Sequence, residues 1–489
     1  MIKKNNILIN KIINNTRLYP NKKIIFDSKK SLTYFELINL AHVNAKKIKK
    51  IKSKFVPIIV DRNIDSVVAI LSVILSKKIF CPISNNFPEE RINFFFKTLK
   101  SDFCINCSDK KIHYLNEYKI NFSYTKKCKI EKFYNFNDTF YLLFTSGTTG
   151  NPKGVKLSFK NILNTLIWSK NYLKWSKQKM GIATQFSFDI SMFDLFSGLY
   201  FNVPMYIMRN PSNPIESIKE IKKNNITSIF SVPTFFSNFV KYNLIKKRLP
   251  LKRIVSGGDF FPPGDILKWK KYQKKTEIYN VWGPTETSIV NTMHRINKKD
   301  IIQITDGKSI PVGKSNPLME IKILKNKKEL ASNKIGEICM IGDCVSQGYI
   351  GHNKNSKNYI KLNSKKAYLT GDLGYFDNNK LLHIVGRKDN TIKISGYRVD
   401  AREVEKIVSL NFNISNVLLL KVSISEINFL CLAIENKKKI KLDEIITILK
   451  RKLPLYSIPK KIIFFKNFPL NQNNKVDRGK IEKEIFKKA

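Results

Sequence analysis

Residues 143–154, LFTSGTTGNPKG, place three threonines, one serine, three glycines and one lysine in a single short stretch. The flanks are strand-like: 139–144 (TFYLLF) is apolar and aromatic, and 155–157 (VKL) reads as extended again. The stretch is therefore expected to be a loop joining two strands. Glycine lets backbone approach an anion closely, hydroxyls and amide N–H groups supply donors, and Lys153 adds a point charge. That combination suits a polyphosphate, although on composition alone an ordinary Ser/Thr/Gly turn remains equally open. A Walker A loop is excluded, because Gly150 is followed by Asn151, Pro152, Lys153 and Gly154.

The chain around this loop is long enough, at 489 residues, for two or more domains and a large core. Its first residues interrupt their apolar positions with Asn and Lys, unlike a secretory leader, and no run approaches the roughly 18 apolar residues of a membrane span. A soluble cytoplasmic protein is expected. Seven scattered cysteines argue for reduced thiols, and the lone pair Cys104 and Cys107 lacks the second ligand pair of a structural zinc site. The formal charge of +50 invites nucleic acid or an anionic membrane as partner. Yet the lysines are spread along the whole chain, and Asn, Ile and Phe are abundant with them, as A/T-rich codons would produce. No nucleic acid and no membrane insertion are expected; attraction to an acidic protein fits the charge better.

Strands alternate with helices along the first 300 residues, the pattern of an α/β fold. Residues 55–60 read as a strand and 67–75 as a helix, with 80–83 and 87–92 opening another helix; Ser158 is placed to cap a helix whose apolar face is Phe159, Ile162, Leu163 and Leu166. Residues 226–234 read as strand and turn, and strands are expected before the glycines at 257 and 258 and before Gly283; ligands of open α/β sheets sit at strand C-termini. Residues 308–350 suggest a small β subdomain. Beyond a boundary near Asp389, a helix at 402–410, strands at 417–422 and 428–434 and a helix at 442–453 form a small α+β unit of about 100 residues. The expected division is 1–388 and 389–489.

Several strings in this order resemble the adenylate-forming (AMP-binding) superfamily, which includes acyl-CoA synthetases, luciferases and amino-acid adenylation domains. They are 145–154 (TSGTTGNPKG), 188–191 (FDIS), 280–287 (NVWGPTET), 368–373 (YLTGDL), 386–396 (GRKDNTIKISG) and 473–478 (NNKVDR), and the likeness runs from about residue 30 to 480. The resemblance implies ATP as substrate, Mg²⁺ as its counter-ion, and a small mobile C-terminal domain. Thr145, Ser146, Gly147, Thr148, Thr149, Gly150 and Lys153 would hold the β and γ phosphates, Thr285 the α-phosphate, and Glu286 the metal, a hard cation suited to oxygen ligands. Asp372, supported by Arg387, would take the ribose hydroxyls. Gly257, Gly258 and Asp259 would wall the adenine, with Asn280 and Trp282 beside it; Trp282 stands where the family more often has Tyr. Lys475 would be the catalytic lysine, preceded by Asn474 where Gly is usual. Asp389 would be the hinge.

Within the superfamily, the resemblance points to amino-acid activation, with Asp189 holding the α-ammonium group, and 186–195 looks like the ligases that load D-alanine onto a carrier protein. Ile190, Phe193, Phe230, Val255, Val281, Ile289 and Val290, with Gly257, would line the side-chain pocket; all are apolar, so a small or medium apolar amino acid is expected. D-alanine ligases typically carry Cys where Gly257 stands. The chain ends soon after Lys475 without a segment for phosphopantetheine attachment, so the expected partner is a separate, acidic, phosphopantetheinylated carrier protein. The rivals are an acyl- or aryl-CoA synthetase, for which Asp189 has no ammonium to hold, and a catalytically silent binding module.

Overall fold

The computed structural model describes residues 8–109, 116–121, 137–145, 152–305, 310–350, 357–388, 391–412, 414, 416–424, 427–435, 440–469 and 478–488. The chain packs as two units. One comprises the described residues up to Asn85, of 96–144 and of 154–388; the other comprises Asn86–Phe95 and the described residues after Lys388, with Thr145, Pro152 and Lys153 grouped with it.

The first unit is built on three sheets. Six strands of a nine-stranded sheet run parallel, in the spatial order Glu277–Trp282, Arg253–Gly257, Ser228–Ser231, Met180–Ile182, Met205–Ile207 and Lys23–Phe26. Strands such as IVSG and SIFS are buried throughout, as expected where a parallel sheet is covered on both faces. A six-stranded sheet contains Phe55–Val60 and Ile79–Ser84 at its centre, then Thr139–Thr145 and Lys153–Ser158 as neighbours. The two strands expected on either side of the glycine-rich loop are thus both present. The third sheet is antiparallel, with Met319–Lys325, Gly336–Gly342 and Lys365–Phe376 as its long members and Leu382–Arg387 paired to the last.

Helices cover the parallel sheets, and their starts are chemically marked. Thr33 and Glu36 form a reciprocal capping box for Tyr34–Lys49, and Ser158 and Asn161 do the same for Phe159–Ser169. The helix Leu8–Leu18 was not legible in its Asn-rich sequence. It buries Leu8, Ile9, Ile12 and Ile13, and Asn15 joins that face because its side-chain amide donates to the carbonyls of Leu199 and Tyr200. Among the described residues, no helix is long and apolar enough to cross a membrane.

After Lys388, a hairpin of Thr391–Ile394 and Tyr397–Asp400 turns through Ser395 and Gly396, both at positive φ. The helix Ala401–Phe412 follows, then a sheet of Val417–Ile424, Ile427–Glu435 and Lys461–Phe465, with the helix Leu442–Lys452. Val404, Val408, Leu419, Leu432, Ile445 and Leu449 share its core.

Candidate active site

The loop after strand Glu277–Trp282 is tightly closed. Asn291 N–H donates to the Trp282 carbonyl at 2.8 Å, and a Cβ on Gly283 would stand 2.5 Å from the Ile289 carbonyl oxygen, so only glycine fits there. Between these ends Thr285–Thr287 forms one 3-10 turn, and Ser288 and Ile289 both adopt positive φ, 73° and 76°. For a β-branched residue such as Ile289 this conformation is strained, and the surrounding bonds hold it: Thr165 Oγ1 donates to the Ser288 carbonyl, and Ser288 Oγ donates to that of Cys344. The strain fixes where Thr285 and Glu286 project.

Thr285 Oγ1 donates to Asp189 Oδ2 at 2.5 Å. Asp189 is the first residue of the helix Asp189–Phe201, preceded by Phe188 at the N-cap position. Burial pushes its carboxyl above the ordinary carboxylate range; the Thr285 hydroxyl and the Ile190 backbone amide oppose this, and the Glu286 charge adds to it. Asp194, five residues on, is fully buried, and neither of its carboxylate oxygens has a hydrogen-bond partner among the described residues. Burial pushes that carboxyl well up, which keeps it protonated.

Strand register assembles the apolar residues. Phe230 is paired with Val255 and Gly257 with Val281, and Val255 and Gly257 are two apart on one strand, so all four share one face of the sheet. On that face Phe193 meets Phe230 edge to face, with ring centroids 5.5 Å apart. Ile190, Phe193, Phe230, Val255, Val281, Ile289 and Val290 all belong to one buried cluster. A Cβ on Gly257 would lie 2.6 Å from Val281 Cγ2 and 2.9 Å from the Val281 carbonyl oxygen.

Asp372 and Arg387 are cross-strand partners in the third sheet, and Arg387 donates to Asp372 Oδ1 at 2.7 Å. Trp282 Nε1 donates to Asp372 Oδ2 at 2.9 Å. Both carboxylate oxygens are therefore engaged, though each keeps a further lone pair. Asn280 and Trp282, expected beside an adenine, have partners within the chain: Trp282 is buried in the core of the third sheet, and Asn280 donates to the Pro311 carbonyl at 3.1 Å. Gly258 is exposed at positive φ, and Asp259 is half-buried, its Oδ1 accepting the Phe260 N–H.

Glu286 is buried, and its Oε1 accepts the Tyr349 hydroxyl at 2.9 Å. Burial first, then the Glu286 charge, holds Tyr349 firmly protonated, so it is a donor. Tyr349 carried no sequence signal beyond its place after a glycine. Among the described residues, no group of three or more His, Cys, Asp or Glu side chains could enclose a metal. A single buried carboxylate fits a hard cation that arrives with most of its coordination supplied by phosphate and water oxygens. Thr145 ends one strand and Lys153 begins the next, both half-buried. Ser146, Gly147, Thr148, Thr149, Gly150, Asp389 and Lys475 lie outside the described residues.

The strained Thr285–Thr287 turn follows a strand C-terminus of the open α/β sheet, the position at which such sheets bind ligands. The sequence profile of the AMP-binding enzyme family matches residues 14–350, and the chain belongs to that family. It is 28% identical over 488 residues to gramicidin S synthase 1 of Brevibacillus brevis, covering 94% of this chain and 43% of that protein, so it spans less than half of that relative. It is also 28% identical over 510 residues to the D-alanine--D-alanyl carrier protein ligase of Bacillus licheniformis, covering 98% of this chain and 99% of that one. In fold it resembles the o-succinylbenzoate CoA synthetase of Bacillus subtilis, with a TM-score of 0.84 at 19% identity, over 97% of this chain and 98% of that one. The α/β architecture and the adenylate-forming resemblance are thus those expected from the sequence.

Proposed function

We propose that this AMP-forming ligase activates an amino acid with ATP, releasing pyrophosphate, and passes the aminoacyl group to the phosphopantetheine thiol of a separate, acidic carrier protein. The observation that carries the reading is Asp189: a carboxylate on the helix that brings Ile190 and Phe193 into the apolar cluster, bonded to the threonine that would meet the α-phosphate. A half-buried carboxylate with a raised pKa calls for a cation, and an α-ammonium group would restore its ionised form. The near-complete coverage of the D-alanine carrier ligase supports a carrier in trans, and the chain's charge of +50 favours an acidic one.

In this mechanism a substrate carboxylate oxygen attacks the α-phosphorus while the bond to the β-bridging oxygen breaks, giving the aminoacyl-adenylate and pyrophosphate. Thr285 orients the α-phosphate, and Asp372 with Arg387 holds the ribose. Ser146, Thr148, Thr149 and Lys153 hold the departing phosphates, and Lys475 stabilises charge at the transition state. Mg²⁺, held by Glu286, would neutralise phosphate charge. The thiol then attacks the acyl carbon and AMP leaves. The second domain, 389–489, would carry Lys475 in and out about Asp389.

A CoA synthetase acting on an acyl or aryl acid is the second reading, favoured by the fold of the o-succinylbenzoate enzyme. Pyrophosphate exchange into ATP, run across D- and L-amino acids and simple acids, separates them. Exchange with apolar amino acids that vanishes in Asp189→Ala is expected. Exchange with acids alone would replace the reading, and none with any carboxylate would favour a silent module.

A further inference from the structure

Glu286 is gripped twice by one short segment of the chain. Its backbone carbonyl accepts the Ser346 N–H at 2.8 Å, and its side-chain Oε1 accepts the Tyr349 hydroxyl at 2.9 Å. The Tyr349 phenol, kept protonated by burial, is the donor in that bond.

The same segment is laced to the strand Lys153–Ser158. Gln347 N–H donates to the Lys156 carbonyl at 3.0 Å, Lys156 N–H to that of Gly348 at 2.9 Å, and Ile350 N–H to that of Gly154 at 2.8 Å. Val155 and Tyr349 consequently face each other in an antiparallel bridge. Gly154 is required for this approach, since a Cβ there would lie 2.6 Å from Ile350 Cγ2 and 2.7 Å from Leu142 Cδ2. Two further tyrosines hold the arrangement. Tyr368 brings its hydroxyl to 3.3 Å from that of Tyr349, and Tyr359 packs edge-on to the Tyr349 ring while its own hydroxyl lies 2.5 Å from Ser346 Oγ.

We propose that Tyr349 is a positioning residue for the metal-binding carboxylate: its backbone takes register from the strand Lys153–Ser158, and its hydroxyl transmits that register to Glu286 Oε1. The orientation of the carboxylate is thereby tied to the strand Lys153–Ser158. This rests on the reading of Glu286 as the group that meets the metal of an ATP complex.

Mn²⁺ is the probe for the test. ATP binding is titrated calorimetrically with Mn²⁺ and, separately, with excess chelator, and bound Mn²⁺ is counted by its paramagnetic resonance signal. Tyr349→Phe is expected to weaken Mn·ATP binding about tenfold while shifting metal-free ATP less than about twofold. Glu286→Gln should abolish the metal-dependent gain, and adding Tyr349→Phe to it should cost nothing more, a non-additivity that a merely structural role would not produce. Equal weakening with and without metal, or an additive double variant, overturns the proposal. If Glu286→Gln loses the gain and Tyr349→Phe keeps it, the positioning role alone falls; if Glu286→Gln keeps it, the assignment of Glu286 falls too. Should Tyr349→Phe fail to fold, Tyr359→Phe, which gives up the Ser346 contact, is expected to reduce the gain about two- to threefold, and an unchanged gain there counts against the proposal.

Discussion

Thr285 Oγ1 sits 2.5 Å from Asp189 Oδ2, so the residue proposed to orient the α-phosphate and the one proposed to hold the ammonium group are joined by a hydrogen bond. Recognition of the two substrates therefore meets at one contact. Asp189→Asn keeps the shape and removes the charge. Leaving an ammonium group without its charged partner costs about 2–5 kcal/mol, so kcat/KM for the amino acid is expected to fall by roughly two to three orders of magnitude. Direct binding of ATP, measured without amino acid, should change less than about threefold. A variant with normal amino-acid kinetics would remove Asp189 from the site.

Asp194 gives the protein a pH-dependent stability with a definite sign. Its carboxyl is fully buried without hydrogen-bond partners among the described residues, and its pKa is pushed well above the ordinary value. The folded chain therefore holds a proton that the unfolded chain releases near pH 4. Stability from this group is complete below that pH and declines as pH rises towards the raised folded pKa. Asp194→Asn, which cannot ionise, should flatten the decline, and urea midpoints measured from acid to alkaline pH should converge at the acid end and diverge in favour of the variant at the alkaline end. Parallel curves would mean that Asp194 does not titrate with folding.

Much of the frame was legible because strand and helix periodicities are local. The strands flanking the glycine-rich loop, the cap at Ser158 and the buried strand ending at Gly257 follow from nearby residues. The shared face of Phe230, Val255 and Val281 needed strand order and register, which resemblance to a known family supplied and periodicity did not. The bonds from Thr285 to Asp189, Trp282 to Asp372 and Tyr349 to Glu286 join residues 96, 90 and 63 positions apart. Nothing local marks such meetings, since they arise where separate loops converge. Trp282 illustrates this: its indole N–H donates to Asp372, a bond that its neighbours in sequence do not announce.

That N–H makes Trp282 testable apart from its bulk. Trp282→Phe preserves an aromatic ring but leaves Asp372 Oδ2 without its indole donor, and a hydrogen bond to a charged group contributes about 1.5–3 kcal/mol. Part of this is expected to appear as an ATP affinity about five- to tenfold lower, with a smaller penalty for 2′-deoxy-ATP because the ribose contact is what Asp372 would lose. Equal losses for both nucleotides, measured by calorimetry, would assign Trp282 to packing alone.

Gly257 sets the depth of the proposed side-chain pocket. Any Cβ there would press on Val281 Cγ2 at 2.6 Å and on the Val281 carbonyl oxygen at 2.9 Å, with the Phe230 ring next at 3.5 Å. The carbonyl belongs to a sheet strand and cannot rotate away, so the strand itself must yield. Gly257→Ala and Gly257→Cys should therefore destabilise the protein by about 1–3 kcal/mol, read as a lowered thermal midpoint. They should also narrow the pocket from the face that Phe230, Val255 and Val281 share. One methylene of misfit is worth about 1–3 kcal/mol, so exchange rates should shift by roughly 10- to 100-fold towards the smallest amino acids, with Cys shifting them further than Ala. An unchanged preference in a folded Gly257→Cys variant would place the side-chain pocket elsewhere.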